Sequence, residues 1–132
     1  MSGALIALDP GGYPAAPPPI RLQFRCLWGQ GPRVMQRWAR LYRTLDACHP
    51  EQPHCYLSLI AIHPARQRQG IGGALLADWL RDVDSRAMAS YLETDRGELV
   101  GFYRAAGFAV TRELEAFDTP IWCMSRPARI EN

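Results

Sequence analysis

Short continuous apolar runs alternate along this chain with longer stretches in which apolar positions recur every three to four residues, an order that predicts strands and amphipathic helices in turn. Gly3 to Leu8 reads as a strand that stops at Asp9-Pro10-Gly11-Gly12. Tyr13 to Pro19 holds four prolines in seven residues and reads as an extended surface loop, because proline cannot donate to a ladder. From Arg33 to Leu45, Val34, Trp38, Leu41 and Leu45 fall on one helical face and Arg33, Arg37, Arg40 and Arg43 on the rest. That spacing predicts a helix covering a sheet, with a solvated basic face. Cys55 to Ile62 is an unbroken apolar run of the kind buried on both faces, and His63-Pro64 ends it. Ile71 to Val83 carries Ile71, Ala74, Leu75, Trp79, Leu80 and Val83 along a helical stripe. Met88 to Glu93 reads as a second buried strand. Glu98 to Ala106 reads as a short helix stopped by Gly107, since a residue past a helix end often needs positive φ. Strands at Phe108–Glu115 and Ile121–Arg126 follow, with Phe117-Asp118-Thr119-Pro120 as the turn between them. The order from Cys55 onward is βαβαββ, which implies a right-handed βαβ unit with two parallel neighbouring strands.

Composition narrows the class. With 132 residues, 48% hydrophobic and 21% charged, the chain has the balance of one soluble globular domain. Cys26, Cys48, Cys55 and Cys123 form no C-x-x-C pair and no dense secreted-type framework, so a reduced, cytoplasmic protein without structural zinc is expected. The formal charge is +2, and all 15 basic residues are arginine. Absence of lysine excludes a Walker-type phosphate loop and a Schiff-base mechanism. The arginines form no run of five or six, so nucleic acid is not an expected partner. No 18-residue apolar stretch and no basic, signal-like start are present, so neither a membrane span nor a leader is expected.

The most informative segment is Gln67-Arg68-Gln69-Gly70-Ile71-Gly72-Gly73, set between the Cys55–Ile62 strand and the helix that follows. Glycines there allow close backbone approach to a ligand, and the N–H groups of a first helical turn point outward at the positive end of the helix dipole. This is the chemistry of an anion site. A tight strand-to-helix turn explains one glycine, but leaves three in four positions unexplained. The spacing differs from the G-x-G-x-x-G dinucleotide fingerprint.

Gln67-x-x-Gly70-x-Gly72, after a strand ending in Ile62-His63-Pro64, resembles the acetyl-coenzyme A (acetyl-CoA) signature of the GNAT family of N-acetyltransferases, in which the loop amides hold the cofactor pyrophosphate. The run from Leu92-Glu93-Thr94 through Phe102-Tyr103, Gly107-Phe108 and Trp122-Cys123-Met124 is similar, more narrowly, to puromycin N-acetyltransferase-like members. The resemblance implies an α/β, GNAT-like mixed sheet with a central βαβαββ unit and splayed parallel strands. It implies a single domain over 1–132, in which 1–48 supplies a strand, the Pro-rich loop and an amphipathic helix, and 49–126 forms the acetyl-CoA-binding core. Cofactor contacts are then expected from the backbone of Ile60, Ala61 and Ile62 and from Gln67, Arg68, Gln69, Gly70, Ile71, Gly72 and Gly73. Tyr103 matches the family's catalytic tyrosine. As a phenol of pKa ~10 it is a candidate acid for a thiolate of pKa about 8.5. Its alternative role is packing beside Phe102. Glu93, at the end of the second parallel strand, is a candidate acceptor of the amine proton, or a carboxylate that orients a neighbouring loop. His54 and His63 flank the central strand beside prolines and read as turn or surface histidines. Cys55 and Cys123 read as small buried hydrophobes.

Two features depart from the family pattern. Leu99 stands where relatives commonly carry asparagine, and the stretch before Cys55 is too short for the family's first strand and acceptor helices. Gly3–Leu8 would then be the strand preceding the central one, and residues 20–48 an inserted helical segment. A sheet edge left open by this shortening is expected to be covered by a partner, for which a homodimer is a candidate. Three readings stand: an enzyme that moves an acetyl group from acetyl-CoA directly to a primary amine of a small molecule, a non-catalytic acyl-CoA-binding module, and an interaction domain built on a truncated GNAT fold.

Overall fold

The structure, a computed structural model, describes residues 3–10, 21, 25, 28–116 and 118–129. The Pro-rich stretch at Tyr13–Pro19 and Cys26 lie outside them. In chain order the elements are β1 (Gly3–Leu8), α1 (Pro32–Cys48), β2 (His54–Ile62), α2 (Ile71–Ser85), β3 (Ala89–Thr94), α3 (Gly97–Ala105), β4 (Ala109–Ala116) and β5 (Thr119–Arg126), with a 3-10 turn at Pro64–Arg66. They form a mixed α/β fold around a five-stranded sheet of order β1-β2-β3-β5-β4. Only β2 and β3 are parallel, joined through α2; the other neighbours are antiparallel. The βαβαββ expectation and the parallel pair are therefore present, and the outer edge of β1 pairs with no described strand.

One face of the sheet is packed by α2 and α3. Leu57, Leu92 and Met124 from the strands meet Leu76 and Leu80 of α2, Val100 and Tyr103 of α3, and Phe108 in one core. The buried stripe of α2 is Leu76, Leu80 and Val83, with Trp79 packed beside it. The expected stripe differs at Ala74, which is exposed. The helix is turned so that Leu76, Leu80 and Val83 are its buried residues, and it packs against β1 and β2. Arg126, only 2% exposed, ties the ends of this layer together: its guanidinium pairs with both Asp84 oxygens at 2.7 and 3.0 Å and donates from Nε to the Ala106 carbonyl at 3.0 Å. Gly107 has φ 101°, as its place after α3 demands.

Among the described residues, the opposite face is covered thinly. No residue of α1 is buried, and Trp38 and Tyr42 are exposed, so α1 does not blanket the sheet as its periodicity predicts. It meets the sheet through its C-terminal end, where Arg112 of β4 reaches Cys48 and the His49 ring lies 4.2 Å from that of Tyr91.

The expectation that β2 is buried on both faces fails over its second half. β2 pairs with β3 only from His54 to Leu57. At Ser58 a bulge against β1 interrupts the register, Ile6 opposing Leu59 and Ala7 opposing Leu57. A bulge bends a strand and raises its twist, and from here β2 leaves β3. Ser58 and Ala61 are exposed as a result. The last turn is also tighter than expected. β5 begins at Thr119, with Asp118 at φ 60°, and Pro120 is tolerated because it lies beyond the end of β3, paired only with Glu115 of β4.

Candidate active site

Where β2 and β3 part, two cavities open side by side. The first, about 630 Å³, is lined by Ile60, Ala61 and Ile62 of β2, the loop residues Arg66, Gln67, Arg68 and Gly70, the first turn of α2, and Arg96, Leu99, Phe102 and Tyr103. The second, about 490 Å³, is lined by Leu45, Ser58, Glu93, Thr94 and Asp95 together with aliphatic side chains of the core. Ile60, Arg96, Leu99 and Tyr103 line both and mark the boundary.

The loop is built as its glycines demand. Gly70 caps α2 in the left-handed region at φ 79°. The first intrahelical bond is Ala74 N–H to the Gly70 carbonyl, 3.0 Å, so the N–H groups of Ile71, Gly72 and Gly73 precede the helical ladder. Neither Gly72 nor Gly73 is required by protein packing: a Cβ on either would meet its nearest neighbour at 3.9 Å. Glycine within a helix costs about 0.5–1 kcal/mol relative to alanine, so two of them in the first turn keep open a space that the protein does not fill. Gln67 Nε2 donates to the Ile62 carbonyl at 3.4 Å and joins the loop to the end of β2. His63 Nδ1 accepts from Ala65 N–H at 3.1 Å, which makes it a turn residue. Three arginines, Arg66, Arg68 and Arg96, line this cavity, Arg96 with its Nε 2.8 Å from Glu98 Oε1, and no carboxylate is among the lining residues. A diphosphate fits such a cradle by charge and by donor geometry.

Two polar groups converge from the other side. Tyr103 is 8% exposed, with its ring edge-on to Phe102 at 5.1 Å and to Phe108 at 6.1 Å. It packs against both rings and also lines both cavities. Burial raises its pKa above the ordinary phenol value. Glu93 is half-buried; the Tyr56 hydroxyl donates to its Oε1, while Oε2 is buried and has no hydrogen-bond partner among the described residues. Burial pushes the Glu93 carboxyl up, against the opposing pull of the Tyr56 and Tyr91 hydroxyls.

Of the site residues expected from sequence, Ile60 to Ile62, Gln67, Arg68, Gly70 to Gly73 and Tyr103 share the first cavity, and Glu93 lines the second. Gln69 lines neither and is exposed. Arg66, Arg96, Ser58 and Tyr56 were not foreseen. A serine inside the apolar run of Cys55–Ile62 is the one visible sign of the bulge. Nothing local distinguishes Arg96 from the other arginines. His54 lies away from both cavities, with its Nε2 2.8 Å from His49 Nδ1.

Residues 33–110 match the family model described as the acetyltransferase (GNAT) domain. The chain belongs to the GNAT family. Its fold is shared with a histone acetyltransferase HPA2-related acetyltransferase from Corynebacterium glutamicum, at a TM-score of 0.64 and 20% identity, over 99% of this chain and 60% of that one. A GNAT-family protein from Desulfovibrio desulfuricans aligns at 28% identity and TM-score 0.51, over 60% of this chain and 56% of that one. An aminoglycoside 6'-N-acetyltransferase, solved with coenzyme A, aligns at 18% identity and TM-score 0.50, over 60% of this chain and 61% of that one. The chain thus spans between 56% and 61% of the length of these three GNAT structures.

Proposed function

We propose that this GNAT protein is an acetyl-CoA-dependent N-acetyltransferase that transfers the acetyl group directly to a primary amine of a small molecule. What supports the reading most is the meeting of the two cavities at the β2/β3 splay, a cationic, amide-lined cradle on one side and a half-buried carboxylate on the other. Arg66, Arg68 and the N–H groups of Ile71, Gly72 and Gly73 would hold the cofactor phosphates. Acetyl-CoA would supply an electrophilic thioester and a thiolate leaving group. The edge of β2 beyond Leu57 has lost its β3 partner, so the backbone of Ile60 to Ile62 is available to donate to a developing oxyanion. Glu93 Oε2, which has no hydrogen-bond partner among the described residues, takes the proton of the acceptor amine as charge develops on nitrogen.

Tyr103 keeps its proton at neutral pH because its pKa is raised. Full transfer from an ordinary phenol, near 10, to an ordinary thiolate, near 8.5, is already uphill by about 2 kcal/mol. Its role is therefore hydrogen-bond donation to the leaving sulfur, with solvent completing the protonation. A second cavity of about 490 Å³ is of the size that takes small ligands, which favours a small-molecule acceptor. The similarity to puromycin N-acetyltransferase concerns the cofactor half and the last strands, and is consistent with this class. A cytoplasmic setting, in keeping with cysteines outside any secreted-type framework, and a second copy pairing along the open edge of β1 complete the reading.

Leu99, lining both cavities with no polar group, favours the alternative of an acyl-CoA-binding module without turnover. The test is release of free thiol from acetyl-CoA in the presence of a panel of small primary amines. With a productive amine, Glu93→Gln and Tyr103→Phe are each expected to lower the rate by about 100-fold, the usual reach of a positioned acid or base. Acetyl-CoA binding with no thiol release for any amine would select the non-catalytic module.

A further inference from the structure

Tyr56 lines neither cavity, yet its hydroxyl reaches the carboxylate that lines the second. In the parallel register Tyr56 lies level with Tyr91, so Glu93 is its diagonal neighbour, at a separation that a long side chain spans. Its hydroxyl donates to Glu93 Oε1. Its ring is held between two others, His49 at a centroid distance of 4.7 Å and Tyr91 edge-on at 5.9 Å. The histidine is fixed in turn. His54 Nδ1 lies 3.0 Å from the Gln52 carbonyl and must donate there, which leaves His54 Nε2 to accept from His49 Nδ1–H at 2.8 Å when both rings are neutral. Burial lowers the His49 pKa to about 4, so this ring is neutral at pH 7.

A phenylalanine would keep the ring in this aromatic stack; the hydroxyl adds the bond to Glu93. Building on the acetyltransferase reading, we propose that Tyr56 is the positioning residue of the site, holding the Glu93 carboxylate by Oε1 so that Oε2 is the oxygen left to take the amine proton.

The groups that bear on Glu93 are Tyr56 from β2, Tyr91 on its own strand, Cys123 from β5 and Asp46 from α1. The Tyr56 and Tyr91 hydroxyls favour the charged form of the carboxylate, while burial, the larger effect, and Asp46 disfavour it. Removing the Tyr56 hydroxyl should let Glu93 hold its proton to higher pH. The experiment is a carbon-13 NMR titration of glutamate-labelled protein, with the Glu93 carboxyl signal assigned by its loss in Glu93→Gln. In Tyr56→Phe the midpoint should move up by about one pH unit, as loss of one charge-assisted hydrogen bond implies. An unmoved midpoint overturns the proposal. Should Tyr56→Phe fold poorly, the wild type gives a second readout: a downfield, exchange-protected Tyr56 hydroxyl proton whose shift follows the Glu93 titration, its absence overturning the proposal equally. Calorimetry with acetyl-CoA separates the two claims. Unchanged affinity in Tyr56→Phe with a shifted midpoint supports both, binding with an unmoved midpoint sinks Tyr56 alone, and a wild type that binds no acetyl-CoA sinks the acetyltransferase reading and the catalytic meaning of Tyr56 with it.

Discussion

The two faces of the sheet solve different problems with neighbouring residues of the same strands. Along β3, Leu92 points into the layer of α2 and α3 and is 1% exposed, while Tyr91 and Glu93, one position to either side, point to the opposite face. The Leu92 face is closed and largely apolar, and also holds the Arg126–Asp84 pair and the buried Ser90. The Tyr91 face is lined by His49, Tyr56, Tyr91, Glu93 and Cys123, and two of its buried oxygens, Tyr91 Oη and Glu93 Oε2, have no partner among the described residues. Buried polar groups without partners cost stability; two such oxygens lie on the Tyr91 face, beside the carboxylate proposed to act, and one, Ser90 Oγ, lies on the Leu92 face. The packed face supplies the stability that this requires.

Substitutions on the two faces should then act in opposite directions. Leu92→Ala, which leaves a cavity in the closed layer, is expected to destabilise the protein by about 3 kcal/mol in denaturant unfolding. A loss under about 1 kcal/mol would mean that the layer is loose enough to collapse around the gap, and the contrast between the faces would blur. Tyr91→Phe removes a buried hydroxyl without disturbing the ring, and should leave stability unchanged or raise it by about 1 kcal/mol. A loss of similar size would show that the hydroxyl has a partner in solution.

The packed face was the more legible of the two from sequence. Periodicity placed the five strands and three helices named above within a few residues, because each element's pattern reflects what lies directly above and below it. Gly107 was legible for the same local reason, and so was the glycine loop before α2. What sequence could not supply is register. That His54 opposes Ala89, and hence that Tyr56 falls diagonal to Glu93, depends on how α2 docks β2 against β3. The point at which the two strands part is set by the Ser58 bulge, a pairing event rather than a propensity. The helix α1 shows the converse. Its amphipathic pattern is real, yet the described residues bring only its C-terminal end to the sheet, since a hydrophobic stripe states what a helix can bury and not how much surface is offered to it. Arg96 and Arg66 joined the site through tertiary placement alone.

The central claim is that the first turn of α2 and its loop form an anion cradle for an acyl-CoA. Gly72→Glu tests it most directly, because the position is helical, its added side chain meets nothing closer than 3.9 Å at Cβ, and the change puts a negative charge where phosphate is expected. Calorimetric titration with acetyl-CoA should give micromolar binding to the wild type and a loss of at least about 100-fold in the variant at unchanged melting temperature. Equal affinity in the two, or a folded wild type that binds nothing, would contradict the account.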